Sequence, residues 1–156
     1  MEEIIPEENK VIILVHGERT HGRSLDQGLS ETGEAQVEDI AVRVKELFGK
    51  DKDRLIVYCA SSKSAKATKR KVCKKLQIVD RVIHDKKLWS DGRHHPILNT
   101  EKIIESIRSI TRQAGKVIII THVQCANVII ENLGFKRKSL NYGEGVFINN
   151  GQCFAV

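Results

Sequence analysis

The stretch VIILVHGERT, residues 11–20, joins a run of apolar residues to a polar segment that begins with His16. Apolar runs of similar length recur at residues 55–60 and 117–120. Continuous runs of this kind are typical of parallel strands that are buried on both faces of a sheet. The sequence therefore predicts three buried parallel strands, and it places a histidine where the first of them ends.

The segments between these strands have the periodicity of helices. In the first segment, apolar residues spaced three and four apart lie between Ser30, a predicted N-cap, and Gly49, a predicted helix stop. The same spacing recurs at 103–114 and 126–133, and the lysine-rich segment 63–76 has the composition of a helix with one exposed face.

Strands that alternate with helices favour an α/β fold. The prediction is a three-layer α/β/α architecture with a mostly parallel sheet and helices on both faces, formed by a single domain over residues 1–156. The remaining predictions are a terminal hairpin over 145–149 and 152–156, divided by Asn150-Gly151, and loops at 85–99 and 135–144.

The charge of the chain is positive and unevenly distributed. The net charge is +6, and seven of the lysines and arginines lie in the segment 63–75. Two interpretations are open: an anionic partner, or a well-solvated helix face. Aromatic residues make up only 4% of the chain, too few to supply the stacking surfaces of single-strand nucleic-acid binders, which argues against nucleic acid as the partner.

Cysteines and hydropathy indicate the compartment. The four cysteines are scattered without a CxxC pair, which predicts buried free thiols in a reducing cytoplasm rather than a disulfide or zinc framework. No apolar run is long enough to cross a bilayer, and the acidic first ten residues do not have the pattern of a secretion signal. His84, His94 and His95 lack the spacing and carboxylate partners of a metal site. We therefore expect a cytoplasmic protein without a membrane segment or a metal.

Polar residues follow each of the three predicted strands. His16-Gly17 follows the first, Ser61-Ser62 the second and Thr121-His122 the third. In an open α/β sheet, ligands bind outside the carboxyl ends of the strands. The last two pairs also open predicted helices, whose free N–H groups favour an anion. The pattern predicts an anion site with two histidines.

Four motifs carry a resemblance to a known family. VIILVHGERT, LSETGEAQ (29–36), YCASSKSAKAT (58–68) and IIITH (118–122) resemble, in this order and spacing, the motifs of the histidine phosphatase superfamily, the phosphoglycerate-mutase-like proteins. The length of 156 residues is similar to that of the small phosphohistidine-phosphatase type. The resemblance implies the phosphoglycerate-mutase-like fold and a phosphatase that needs no cofactor.

The resemblance also implies roles for individual residues. His16 matches the nucleophile, which attacks phosphorus and becomes a phosphohistidine, and His122 matches the histidine that stabilises the phosphoryl oxygens. Gly17 matches the glycine that lets the chain turn tightly beside the nucleophile. Ser30 and Gly33 match a supporting turn and helix start.

The chain departs from the family pattern at three positions. Val15 stands where the family has an arginine, and Lys66 stands where it has another. Lysine lacks the planar fork with which arginine holds two phosphate oxygens. Ser90 takes the place of the glutamate acid, which leaves Asp91, one residue along, as the candidate proton donor. The other candidates for phosphate binding are Gly17, next to the nucleophile, Arg19, on the loop after the first strand, and Ser62, at a helix start.

Three functions are consistent with these features. The first is a weak phosphatase that hydrolyses a phosphohistidine or a small phosphomonoester through phospho-His16. The alternative is a catalytically impaired relative that binds a phosphorylated small molecule or phosphoprotein. The third, which rests on charge alone, is a polyanion binder that uses segment 63–75.

Overall fold

A six-stranded sheet forms the centre of the protein. The computed structural model describes residues 5, 8–20, 28–49, 54–78, 81–88 and 100–156. The strands are β1 (Lys10–Val15), β2 (Leu55–Ala60), β3 (Val82–Asp85), β4 (Lys116–Thr121), β5 (Gly145–Asn149) and β6 (Gln152–Ala155). They lie in the order β3-β2-β4-β1-β5-β6, with β1 to β4 parallel and β5 antiparallel to β1. The predicted parallel strands are confirmed.

Four helices cover the sheet. They are α1 (Glu31–Phe48), α2 (Lys63–Leu76), α3 (Thr100–Gln113) and α4 (Val123–Asn132). Helix α1 packs against α2, and α3 packs against α4. Right-handed crossovers between parallel strands place α1 and α2 on one face of the sheet and α3 on the other, because the chain reverses direction along the sheet after β3. Helix α4, which precedes the antiparallel β5, packs with α3. The predicted three-layer α/β/α fold is confirmed.

Local signals in the sequence account for the ends of these elements. Ser30 caps α1 by accepting a hydrogen bond from the Gly33 N–H, and Gly49 is the C-cap. Asn150 and Gly151 have φ angles of 52° and 73°, which the two-residue turn of the β5–β6 hairpin requires. The prediction of a loop over 85–99 is incomplete. Strand β3 extends to Asp85, and a 3₁₀ turn covers Lys86–Leu88, while residues 89–99 lie outside the described part.

The core lies between the sheet and the helices. All five residues from Val11 to Val15 are completely buried. Cys59, Cys73 and Cys125 are buried free thiols, as predicted, and Cys153 is a half-buried free thiol. In the described ranges, no helix is long and apolar enough to cross a membrane, and no three potential ligand side chains lie together in a way that could hold a metal ion.

Part of the lysine-rich face of α2 serves the packing of two helices. Lys71 lies 2.8 Å from a carboxylate oxygen of Glu34, and Lys75 lies 3.0 Å from one of Glu38. These exposed ion pairs join α2 to α1, and pairs of this kind contribute little stability each. The positions of these two lysines are therefore explained by a solvated helix face, without an anionic partner.

Candidate active site

The carboxyl ends of β1 and β4 bring two histidines together. The strands are neighbours in a register that pairs Val15 with Thr121, and the His16 N–H donates to the Thr121 carbonyl at 3.0 Å. The ring centroids of His16 and His122 lie 4.5 Å apart, with 66° between the ring planes. Their exposed fractions are only 3% and 8%. The edge-to-face contact places both imidazoles in one buried cluster.

A backbone carbonyl determines the protonation of His16. Its Nδ1 lies 2.6 Å from the Gly17 carbonyl oxygen. Because a carbonyl can only accept, Nδ1 carries the proton, and the neutral ring keeps a lone pair on Nε2. Burial lowers the pKa of His16 below its ordinary value of 6.5; the hydrogen bond to Gly17 raises it, and the charge of Arg19 lowers it further. The neutral form with a nucleophilic Nε2 is therefore the form present at neutral pH.

Gly17 is held from two sides. Its N–H donates to Thr68 Oγ1 at 3.1 Å, and this hydroxyl donates to the Ser64 carbonyl in α2 at 2.8 Å. A Cβ on Gly17 would lie 2.6 Å from Val37 Cγ2 and 2.8 Å from the Gly33 carbonyl oxygen. Gly17 does not have a positive φ angle. Glycine is therefore required here by the close packing against α1, and not by a left-handed backbone conformation.

The LSETGEAQ motif fastens α1 to the loop after β1. The Glu18 N–H donates to Gln36 Oε1 at 2.9 Å, and Ser30 Oγ donates to the Glu18 carbonyl at 3.2 Å. A Cβ on Gly33 would overlap the same carbonyl. Serine, glycine and glutamine at these spacings therefore hold the backbone that carries His16.

The start of α2 lies beside the second histidine. Ser62 caps α2 by accepting from the Ala65 N–H, and its Oγ lies 3.2 Å from His122 Nε2. The side chain of Ser62 is buried, with 2% of the residue exposed. The N-terminus of a helix favours negative charge. The two histidines, Ser62 and this helix end together form an environment suited to an anion.

Solved structures of several phosphatases share this architecture. The chain superposes on the protein histidine phosphatase SixA complexed with tungstate with a TM-score of 0.74 and 15% identity, over 94% of each chain. The chain has the histidine phosphatase fold. A phosphoserine phosphatase variant from Entamoeba histolytica in complex with phosphoserine gives a TM-score of 0.65 at 13% identity, over 95% of each chain. The alpha-ribazole phosphatase from Shigella flexneri gives 0.62 at 16%, over 94% of each chain.

The resemblance indicated by the four motifs is therefore confirmed at the level of the fold. No family model and no curated protein matches the sequence. The four motifs thus occur in a chain whose identity to the proteins of similar fold named above is only 13–16%.

The departures from the family pattern change the positive charge around His16. Val15 is completely buried and supplies hydrocarbon where the family has an arginine. Among the described residues, Arg19 contributes a charge that lowers the pKa of His16. Burial is the main cause of the lowered pKa of His84, and the charges of Lys69 and of Lys66, in the first turns of α2, lower it further. The candidate acid Asp91 lies outside the described residues.

Two residues at the site of this histidine phosphatase fold are not predicted from the sequence. One is Thr68, the acceptor for the Gly17 N–H. The other is Tyr142, whose ring centroid lies 5.4 Å from that of His16, at an angle of 43°. Its segment NYGEG (141–145) has the composition of a turn, but its contact with β1 depends on the antiparallel pairing of β5, which no local pattern reveals.

Proposed function

We propose that the protein is a phosphatase that transfers the phosphoryl group of a phosphohistidine or a small phosphomonoester to Nε2 of His16. The observation that carries the proposal is the hydrogen bond between His16 Nδ1 and the Gly17 carbonyl. It keeps the proton on one ring nitrogen and leaves the other nucleophilic, next to a second histidine. The proteins with similar folds, which act on or bind phosphorylated groups according to their descriptions, support the same class of reaction.

The proposed reaction has two displacements. In the first, His16 Nε2 bonds to phosphorus, and the bond from phosphorus to the leaving oxygen or nitrogen breaks. The leaving group takes a proton, for which Asp91 is the proposed donor. In the second, water attacks phosphorus and the P–N bond breaks, which releases inorganic phosphate and neutral His16. The Gly17 carbonyl stabilises the positive phosphoimidazole ring, just as it raises the pKa of His16.

The anionic oxygens would be stabilised by groups close to the two rings. We assign this role to His122, Ser62 and the start of α2, with Arg19 as the cation and Gly17 as backbone support. Phosphoryl transfer depends mainly on such positioning and electrostatic stabilisation. Hydrocarbon at Val15 in place of one arginine fork is consistent with a slow enzyme, since loss of one preorganised donor costs about 10²–10³-fold in rate. Lys66 remains a predicted phosphate contact, reached by a long and flexible side chain.

A binding protein without turnover is the alternative. The buried Val15 favours it, because hydrocarbon at this position cannot contribute to stabilising the transition state. Such a protein would use the same histidines and helix end to hold a phosphorylated small molecule or phosphoprotein.

Substitution of His16 tests the proposal. Wild-type protein should release phosphate from phenyl phosphate and carry a transient phosphoryl label that is stable in alkali and lost in acid, as expected for phosphohistidine. The variant His16→Ala should lose both the label and the turnover. The exposed His84 provides the matched control, and His84→Ala should retain both. Turnover that survives in His16→Ala would refute the role of His16. No turnover together with a higher melting temperature in vanadate would establish the binding alternative.

A further inference from the structure

Tyr142 is the exposed member of a three-ring cluster. Its ring lies against that of His16, which in turn contacts His122. The exposed fraction is 39% for Tyr142, but 3% and 8% for the two histidines. Of the three rings, that of Tyr142 is therefore the one that a molecule in solution can contact most readily. The two displacements described above make no use of this side chain.

The backbone fixes Tyr142 relative to the nucleophile. The N–H of Gly143, the next residue, donates to the carbonyls of Val15 and His16 at 3.2 and 3.0 Å. The Val15 N–H donates to the Glu144 carbonyl at 2.8 Å. The φ angle of Gly143 is +72°, and a Cβ there would lie 2.8 Å from Gln36 Cβ. These contacts fix the backbone of the turn between β1 and α1, directly next to Tyr142.

A half-exposed ring beside a nucleophile is suited to contact the leaving group. Aromatic rings prefer other aromatic rings in offset or edge-to-face geometry, and a pair of this kind contributes beyond the burial of area. We propose that Tyr142 forms the leaving-group side of the site and selects substrates whose phosphoryl group is attached to a planar ring, such as the imidazole of phosphohistidine. This inference rests on the proposed phosphatase function. Phosphate esters of aliphatic alcohols would be the poorer substrates.

The kinetic test compares two esters with leaving groups of comparable acidity. Wild-type protein should have a higher kcat/KM for phenyl phosphate than for hexafluoroisopropyl phosphate. In Tyr142→Leu, the ratio of the two kcat/KM values should fall by about 2- to 10-fold, which corresponds to the contribution of one aromatic pair. Tyr142→Phe should keep the wild-type ratio. Phe154, an aromatic residue on β6 that is 48% exposed, provides the control, and Phe154→Leu should change neither rate. Equal loss on both esters in Tyr142→Leu would overturn the proposal and give Tyr142 a structural role.

A binding measurement keeps the inference separate from turnover. Phenylphosphonate and cyclohexylphosphonate are similar in size, but only the first has a planar ring. Calorimetric titration should show tighter binding of phenylphosphonate to wild-type protein, and this difference should disappear in Tyr142→Leu. Equal affinities in wild-type protein would refute the role of Tyr142, whether or not His16 acts as a nucleophile. Turnover that survives in His16→Ala would refute the proposed function, whatever the affinities are.

Discussion

Replacing Gly33 with alanine should displace the loop that carries His16. The new methyl group would overlap the Glu18 carbonyl oxygen and lie 2.9 Å from the Glu18 nitrogen. Both are backbone atoms, and the loop is also fastened to α1 by the bond from the Glu18 N–H to Gln36. No side chain can rotate away to relieve the overlap, so the helix and the loop must separate.

Two opposing effects determine the loss of stability. Overpacking against a fixed neighbour costs about 1–3 kcal/mol, and the backbone contact favours the upper end. Alanine regains about 1 kcal/mol over glycine through its helix propensity, since Gly33 lies in the first turn of α1. The net loss should be about 2 kcal/mol, which corresponds to about 4–8 °C in Tm for a chain of this size. A shift of about 1 Å at the nucleophile would reduce turnover by about 10²-fold.

Thermal and urea unfolding, followed by circular dichroism, measure this loss. Gly115 offers the matched control, because a Cβ there meets nothing within 4 Å. Gly115→Ala should leave both stability and phosphate release close to the wild-type values. If Gly33→Ala were as stable and active as Gly115→Ala, the account of how α1 positions the loop would be refuted.

Three further predictions concern the same region. Thr68→Val leaves the N–H of Gly17 unpaired, so we expect a loss of about 1–3 kcal/mol in urea unfolding; Thr68→Ser should restore it, and equal stability of all three proteins would contradict the hydrogen bond. Arg19→Gln should raise the pKa of His16 measured by NMR titration, because the Arg19 charge lowers it. An unchanged His16 titration in this variant would place Arg19 away from the ring. Since folding lowers the pKa of His16 below 6.5, the native protein binds fewer protons there than the unfolded chain, so the free energy of unfolding should fall as the pH drops below 6.5. Burial raises the pKa of the Cys59 thiol to about 12, so it should resist alkylation until the protein unfolds, and fast labelling of native protein would contradict its burial.

Burial pattern explains which strands can be predicted. Strands β1, β2 and β4 are covered on both faces, so each is a continuous apolar run. Strand β3 pairs only with β2 at the edge of the sheet, and its residues Val82–Asp85 are all partly or fully exposed. Its two apolar residues do not stand out from a loop. An edge strand of this kind is specified by its partner rather than by its own composition.

The site divides in a similar way. The proximity of His16 and His122 can be predicted, because parallel strands deliver their carboxyl ends to one edge of the sheet. The contribution of Tyr142 cannot, because it depends on a loop path and on the pairing of β5 with β1. Arg19 is a candidate from its position after β1, and its charge lowers the pKa of His16, while the phosphate contact of Lys66 stays a prediction.

The antiparallel partnership of β5 with β1 has a consequence for biosynthesis. The backbone of residues 143 and 144 forms hydrogen bonds with Val15 and His16, although these residues leave the ribosome more than 120 residues later. A nascent chain that already contains both histidines still lacks these hydrogen bonds. Residues 143 and 144 must therefore emerge and pair with β1 before His16 has the backbone contacts described above.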